Sequence, residues 1–162
     1  MSRITRDELL RRYAAGERNF AGVQLGGDLD GIDLSGADLS GTRLEEFYLA
    51  RAILRAVNLR NARLTDACLD SADLTDADLR GASLRCAYLR CANLTGADLR
   101  GGRFEETSFD RANLTGANLS GTDLEKSILR EANLTGANLE GANLSQVIFY
   151  NTIMPDGSIR NE

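Results

Sequence analysis

Apolar residues recur along this chain with a period of five. Every fifth residue from Leu29 to Ile159 is apolar, 27 positions in all, and 22 of them are Leu. The residue two positions before each of them is most often Ala, and the residue between them is mostly Asp, Asn or Arg. This period matches neither the 3.6 residues of a helix nor the 2 residues of a long strand.

The pattern fits a very short extended piece followed by a turn. In the repeat that begins at Ala132, Ala132 and Leu134 are two residues apart and point inward together, while Asn133 points outward. Thr135 and Gly136 then turn the chain. Repetition of such a unit at a fixed period predicts a solenoid with stacked leucines as its core.

A second period of 20 residues lies over the first. Gly occupies the third turn position at residues 36, 96, 116 and 136 and again at residues 41, 81, 101, 121 and 141. Four units per period predict four faces per coil. The two Gly-rich corners predict type II turns, whose third residue needs a positive φ. The other two corners carry residues such as Glu46, Arg51 and Cys86, so we expect their turns to differ.

These repeats resemble the pentapeptide repeat family, whose consensus is Ala-Asp/Asn-Leu-x-x. The resemblance covers Phe20 to Ile159. It implies an all-β fold, the right-handed quadrilateral β-helix, and the length of the chain fits about seven coils. The lead-in that begins at Thr5 and the ending after Met154 look like those of single-domain members common in cyanobacteria.

The first residues predict a short α-helix that covers the open end of the first coil. Thr5 and Glu8 form a capping box, and Gly16 ends a helix over residues 6–15. Leu9, Leu10 and Tyr13 would then lie over the core. We therefore divide the chain into a capping helix, residues 1–17, and a β-helix, residues 18–162. The spacing from Leu25 to Leu29 is one residue short, which Gly26 and Gly27 should absorb.

Composition argues against several classes of protein. The formal net charge is −5 and the isoelectric point about 4.9, which argues against general nucleic-acid binding. No apolar run approaches the length of a membrane span, and no signal peptide is expected. Three cysteines without a secretory signal indicate a reducing compartment, so we expect a cytoplasmic protein.

No catalytic or metal site is expected. His is absent, and the carboxylates lie on open faces instead of in a cleft. Cys68, Cys86 and Cys91 lack the fourth ligand that a zinc site needs, so they are interpreted as small fillers. A column of Arg60, Arg80 and Arg100 could bind phosphate, but nearby Asp78 and Asp98 favour a mutually paired, solvated face. The chain is therefore not expected to be an enzyme or to hold a cofactor.

One outward column is apolar where the other faces are polar. Its members occur once per coil: Tyr48, Cys68, Tyr88, Ser108, Ile128 and Ile148. Arginines flank it, namely Arg51, Arg90, Arg111 and Arg130. Aromatic residues edged by Arg are typical of an interaction hot spot. The alternative is that these side chains only stack on one another, with a gain of roughly 0.2–1 kcal/mol per pair.

The C-terminal end is a second candidate surface. It has an apolar cluster and no following helix: Ile148, Phe149, Tyr150, Ile153 and Met154. Either the tail to Glu162 folds back over this end, or the end meets a second copy of the chain. The family resemblance implies that a homodimer through the C-terminal end is plausible.

The sequence thus favours a non-catalytic scaffold that presents the apolar column to an unknown protein partner. The family resemblance supplies an alternative function, in which the rod mimics duplex DNA and binds DNA gyrase. Acidic residues interleaved with 18 arginines weaken this alternative, since no acidic face dominates. Neither nucleic-acid binding nor membrane binding is expected.

Overall fold

The chain winds into a solenoid of short extended segments and turns, described by a computed structural model over residues 3–162. Parallel bridges join residues 20 apart on four separate columns, which begin at Asp33, Asp38, Arg43 and Tyr48. The predicted coil with four faces is therefore confirmed. The right-handed sense and the count of about seven coils stay predictions.

All corners of the solenoid share one turn geometry. Every fifth residue from Gly31 to Asn151 has a positive φ, between 47° and 68°. The prediction that two corners differ is wrong, because Glu46, Arg51 and Cys86 have φ values of 61°, 58° and 56°. Each turn closes through the same bond, as when the Phe47 N–H donates to the Leu44 carbonyl at 3.3 Å.

The ladder between coils explains why residues other than glycine accept this strain. The left-handed conformation costs such a residue roughly 1–2 kcal/mol. The Glu46 N–H, however, donates to the Thr65 carbonyl in the next coil at 2.9 Å, and the other turns repeat this bond. A turn without the left-handed conformation would lose this backbone hydrogen bond in every coil. Hydrogen bonding between coils therefore favours the left-handed conformation at each turn, and glycine only lowers the conformational cost of adopting it.

The core is a column of inward Ala and Leu side chains. Leu74 and Leu94 are fully buried one coil apart, and the rings of Phe104 and Phe109 lie 5.7 Å apart inside the same column. The outward Asn or Asp has its own role in the turn. The Asn133 Oδ1 accepts the Thr135 N–H at 2.9 Å, and this Asx turn recurs from coil to coil.

The helix α1, Arg6–Ala14, covers the N-terminal end as predicted. The Thr5 hydroxyl accepts the Glu8 N–H at 3.2 Å, which caps the helix. Leu9 is buried against the core. The Tyr13 hydroxyl donates to the Ser35 carbonyl at 2.8 Å. Together these contacts fix α1 across the opening of the first coil.

The predicted slip in register also occurs in the first coil. Asn19 bridges Asp38 and Gln24 bridges Arg43, both 19 residues apart, whereas Asp33 bridges Ile53 at the regular 20. The missing residue therefore lies between Gln24 and Asp33, on the segment that contains Gly26 and Gly27.

The tail folds back at the C-terminal end. Strands β1, Thr152–Ile153, and β2, Ile159–Arg160, pair antiparallel, and Pro155 lies at the second position of the connecting turn. The Arg160 guanidinium lies 4.0 Å from the centre of the Phe149 ring. The hairpin therefore covers one part of the last coil. No helix in the described part of the chain is long and apolar enough to cross a bilayer.

Candidate functional site

The predicted apolar column forms a continuous ladder on one face of the solenoid. Parallel bridges run from Tyr48 to Cys68, then through Tyr88, Ser108 and Ile128 to Ile148. We call these six residues the Tyr48 column. Because each belongs to a different coil, residues up to 100 positions apart in sequence share one surface.

Exposure within the Tyr48 column is uneven. Tyr48 is 63% exposed, Tyr88 48% and Ile148 42%, whereas Cys68 and Ile128 are half-buried. Ser108 is buried and leaves a low point in the middle of the column. The two tyrosines are separated by Cys68, and about half or more of each side chain stays accessible after stacking between coils.

Two of the arginines beside the Tyr48 column, Arg90 and Arg111, are held by acidic neighbours one coil away, whereas Arg130 forms no ion pair within residues 3–162. The Arg90 Nε donates to the Asp70 Oδ2 at 2.9 Å, and the Arg111 Nε to the Glu131 Oε2 at 3.0 Å. The Arg90 guanidinium also lies 5.6 Å from the centre of the Tyr88 ring. These arginines are thus partly neutralised, which the sequence did not indicate.

A groove of about 470 Å³ follows this corner of the rod. Its walls are stacked corner residues: Asp70, Ser71, Arg90, Cys91, Asp110, Arg111, Arg130 and Glu131. The Ser108 hydroxyl donates to the Asp110 Oδ2 at 3.2 Å, while the Asp110 Oδ1 is buried without a hydrogen-bond partner among residues 3–162. Sequence reasoning missed this groove, although the alternation of Asp and Arg at 20-residue intervals was a visible signal.

The three cysteines are free thiols on separate corners or faces. Burial, followed by the negative charges of Asp66 and Glu106, raises the pKa of the Cys86 thiol. Within the described residues, no group of three or more His, Cys, Asp and Glu side chains could hold a metal ion.

The arginine column on another face has acidic partners. The Arg80 Nε donates to the Asp78 Oδ1 at 2.8 Å, and the Arg100 Nε donates to the Asp98 Oδ1 at 2.8 Å. The side-chain hydrogen bonds from these arginines lower the pKa values of Asp78 and Asp98. The geometry agrees with a mutually paired face and does not favour a phosphate strip.

The C-terminal candidate residues have different environments. Phe149 is only 4% exposed because it lies beneath Arg160, while Ile153 and Met154 are half-buried and Tyr150 is exposed. The opening of the core lies elsewhere on the last coil, at the half-buried Leu139, Ala142 and Leu144. Sequence reasoning missed these three because their repeats are regular.

The repeats match a known family. The family model described as pentapeptide repeats matches in 8 copies, over residues 32–70, 67–105, 92–130, 107–146 and 127–156. A search of the curated proteins gave no match.

Solved structures give the same result. HetL, a pentapeptide repeat protein involved in heterocyst differentiation regulation from the cyanobacterium Nostoc sp. strain PCC 7120, is 29% identical; the match covers 97% of this chain and 100% of HetL, with a TM-score of 0.52. Rfr23 from the cyanobacterium Cyanothece 51142 is 26% identical over 91% of this chain and 97% of its own, with a TM-score of 0.59. QnrB1, a plasmid-mediated fluoroquinolone resistance protein, is 22% identical over 81% of this chain and 76% of its own, with a TM-score of 0.52, which shows a shared fold. Because the matched repeats span most of this chain and follow its observed coils, the chain belongs to the pentapeptide repeat family.

Proposed function

We propose that this chain is a non-catalytic scaffold whose Tyr48 column, together with Arg90 and Arg130, contacts a protein partner. One observation carries the proposal. Six large apolar side chains are exposed in the described chain, and three of them, Tyr48, Tyr88 and Ile148, lie in this single column. Scattered apolar residues are normal on a protein surface, whereas aligned ones mark interaction sites.

Stacking between coils is the competing explanation for the column. It would account for apolar residues in register, since neighbouring pairs gain roughly 0.2–1 kcal/mol each. Stacking alone does not explain why the rings of Tyr48 and Tyr88 stay about half exposed, with the small Cys68 between them. Tyrosine also combines a large apolar ring with a hydroxyl group. This combination suits a surface that is exposed to solvent in the free protein and buried in a complex.

The test compares partners captured by wild type, by Tyr48→Ser/Tyr88→Ser and by the control Ile53→Ser/Ile159→Ser. The control removes two exposed apolar side chains outside the column. We expect the tyrosine variant to lose partners that wild type and the control both retain, with unchanged circular dichroism. Identical partner lists for all three proteins would contradict the proposal.

We also propose a homodimer through the C-terminal end. The half-buried Leu139, Ala142 and Leu144 support it, because a second copy would cover them. The backbone N–H groups of Leu139 and Leu144 support it too, since neither has a hydrogen-bond acceptor among residues 3–162. In coils nearer the N-terminus the equivalent N–H, such as that of Leu134, donates to a carbonyl of the next coil.

Sedimentation velocity over a wide concentration range tests the dimer. We expect a concentration-dependent dimer for wild type and a monomer for Leu144→Glu, because a buried unpaired carboxylate opposes association. Asp156→Asn, at the same end but outside the opening, is the control and should dimerise normally. A wild-type protein that stays monomeric throughout would overturn this proposal.

The alternative function, in which the rod mimics DNA and binds gyrase, requires a continuous acidic side. Ion pairs between Arg80 and Asp78, and between Arg100 and Asp98, interrupt the negative charge on one face. A gyrase supercoiling assay tests this function directly, and we expect no effect of excess protein. The free thiols support a cytoplasmic location.

A further inference from the structure

A row of carboxylates borders the Tyr48 column on the side away from the arginines. Glu46, Asp66 and Glu106 occupy the same corner position on three coils, each two residues before a member of the column. All three are exposed. None of them forms an ion pair or side-chain hydrogen bond with another residue in the described range 3–162. We call these three residues the acidic edge.

The neighbours of the acidic edge do not compensate its charge. Glu45 pairs with Arg63 at 2.7 Å, and Glu105 pairs with Arg103 at 3.1 Å, so these cations serve the other carboxylates of the same corner. Cys86 lies between Asp66 and Glu106 in the row, and both carboxylates contribute to the raised pKa of its thiol. Lys126 occupies the next position of the row, one coil beyond Glu106, and its Nζ lies 3.6 Å from the Glu125 Oε1. The acidic edge is therefore a set of three unpaired carboxylates beside the two tyrosines.

The two sides of the Tyr48 column consequently differ in charge. On the far side, Arg90 and Arg111 are paired with Asp70 and Glu131. On the near side Glu46, Asp66 and Glu106 form no ion pair within residues 3–162. The nearby cations Arg85 and Lys126 pair with Glu105 and Glu125 instead. The rings of Tyr48 and Tyr88 add the negative face of an aromatic ring. A partner that fits both features has apolar side chains for the column and positive charges along one edge.

We propose that the partner of the Tyr48 column is a basic protein segment that runs along the rod, with Lys or Arg side chains on the acidic edge. This inference rests on the proposed scaffold function and adds the chemistry of the partner. A nucleic acid does not fit, because its phosphates would meet the unpaired carboxylates.

The spacing suits an extended segment. Coils are about 4.8 Å apart, so Glu46 and Glu106, three coils apart, are separated by about 14 Å. In an extended chain, residues four apart point to the same side and are also separated by about 14 Å. Basic residues at alternate positions therefore reach the acidic edge. The side chains between them point away from the acidic edge or pack against the tyrosines.

The end of the acidic edge at Glu46 offers space for a basic side chain of the partner. A depression of about 290 Å³ there is lined by residues that include Arg3, Asp28, Glu46, Phe47 and Tyr48. The chain's own Arg3 already lies 5.8 Å from the centre of the Phe47 ring and donates to the Leu25 carbonyl at 2.5 Å. A guanidinium on this surface is thus sterically and chemically accommodated.

A fluorescence-anisotropy titration with a labelled synthetic peptide of alternating arginine and leucine tests the inference. We expect wild type to bind it, with affinity that falls as salt is raised. Glu46→Gln/Asp66→Asn/Glu106→Gln should bind about tenfold more weakly, as expected for the loss of three exposed ion pairs. The matched control, Asp76→Asn/Glu140→Gln/Glu162→Gln, makes the same change in net charge away from the column and should bind like wild type.

Several outcomes would overturn the inference. They are absence of binding to wild type, equal weakening in the two triple variants, and equal binding of a peptide with glutamate in place of arginine. A second copy of the chain that covers the Tyr48 column in cross-linking would also overturn it. If the acidic-edge variant keeps every captured partner while Tyr48→Ser/Tyr88→Ser loses them, the basic partner is wrong and the scaffold function stands. If neither variant loses a partner, both fail.

Discussion

The two ends of the rod solve the same problem with different chemistry. A solenoid end exposes core side chains together with backbone groups that lack a neighbouring coil. At the N-terminal end, α1 covers the core through the buried Leu9. The Arg6 guanidinium donates to the carbonyls of Asp28 and Asp30 at 2.6 Å and 3.0 Å, and Arg3 donates to the Leu25 carbonyl.

The C-terminal end is closed on one side only. The β1–β2 hairpin covers Phe149, and the Asn161 Oδ1 accepts the Asn151 N–H at 2.8 Å. Leu139 and Leu144 on the same coil keep partly exposed side chains and backbone N–H groups without acceptors in the described chain. A helix with two arginines covers a whole coil, whereas a short hairpin covers a part of one, which leaves the C-terminal end available for association.

The largest expected difference between the ends concerns their leucines. Leu9→Ala removes a fully buried side chain and should lower the free energy of unfolding by about 2–5 kcal/mol. Leu144→Ala removes a half-buried one and should cost well under half of that. Urea titrations followed by circular dichroism measure both. Leu10→Ala, half-buried on the same helix, is the control for helix propensity. Equal losses for Leu9→Ala and Leu144→Ala would show that the two ends are equally closed.

A smaller difference concerns the arginines at each end. Arg6→Ala removes two hydrogen bonds from a charged donor to coil carbonyls and should cost about 1–2 kcal/mol. Arg160→Ala removes the contact with the Phe149 ring and should cost about 0.5–1 kcal/mol. Thermal melts of both variants give the ranking. Arg11→Ala, whose side chain is largely exposed, should change stability little. A larger loss for Arg160→Ala would reverse the comparison.

Acid is expected to affect the two ends alike, and this effect is the smallest. The hydrogen bond from Arg12 lowers the pKa of Glu17 below its ordinary value of 4.5, and that from the Ser158 hydroxyl lowers the pKa of Asp156 below 3.8. Because both folded values lie below the unfolded ones, the stabilisation is present at neutral pH and is lost as pH falls through the folded values.

Melting temperatures from neutral pH to about pH 3 measure this effect. Glu17→Gln and Asp156→Asn should each be slightly less stable than wild type at neutral pH and show a shallower acid dependence. A steeper dependence in either variant would contradict the assignment of these carboxylates.

Short-range repetition made much of the fold predictable. The position of each Leu relative to the preceding Ala predicted which residues point inward, and the 20-residue period predicted which residues stack. The helix also followed from local signals, with Thr5 and Gly16 at its borders. The observed α1 ends at Ala14, one residue before the predicted end.

Contacts between coils were less accessible to sequence reasoning. Glu46 and Arg51 gave no local sign of a left-handed turn, because the hydrogen bond that favours this conformation comes from the next coil. The pairing of Arg90 with Asp70 depends in the same way on a residue 20 positions away. The acidic edge was not predicted, because the ion pairs that Arg63, Arg103 and Lys126 form with other carboxylates depend on side-chain positions in the folded corner.

The sequence by itself determined the path of the chain: a five-residue unit, four units per coil, and columns of residues that share one face. It could do so because each unit carries its own inward pair and turn, and the pattern repeats without long-range information. The tertiary structure alone decided which charges are neutralised, how far each tyrosine protrudes and which part of the last coil stays open. These properties depend on distances between side chains of different coils, and the same linear pattern is compatible with several such arrangements.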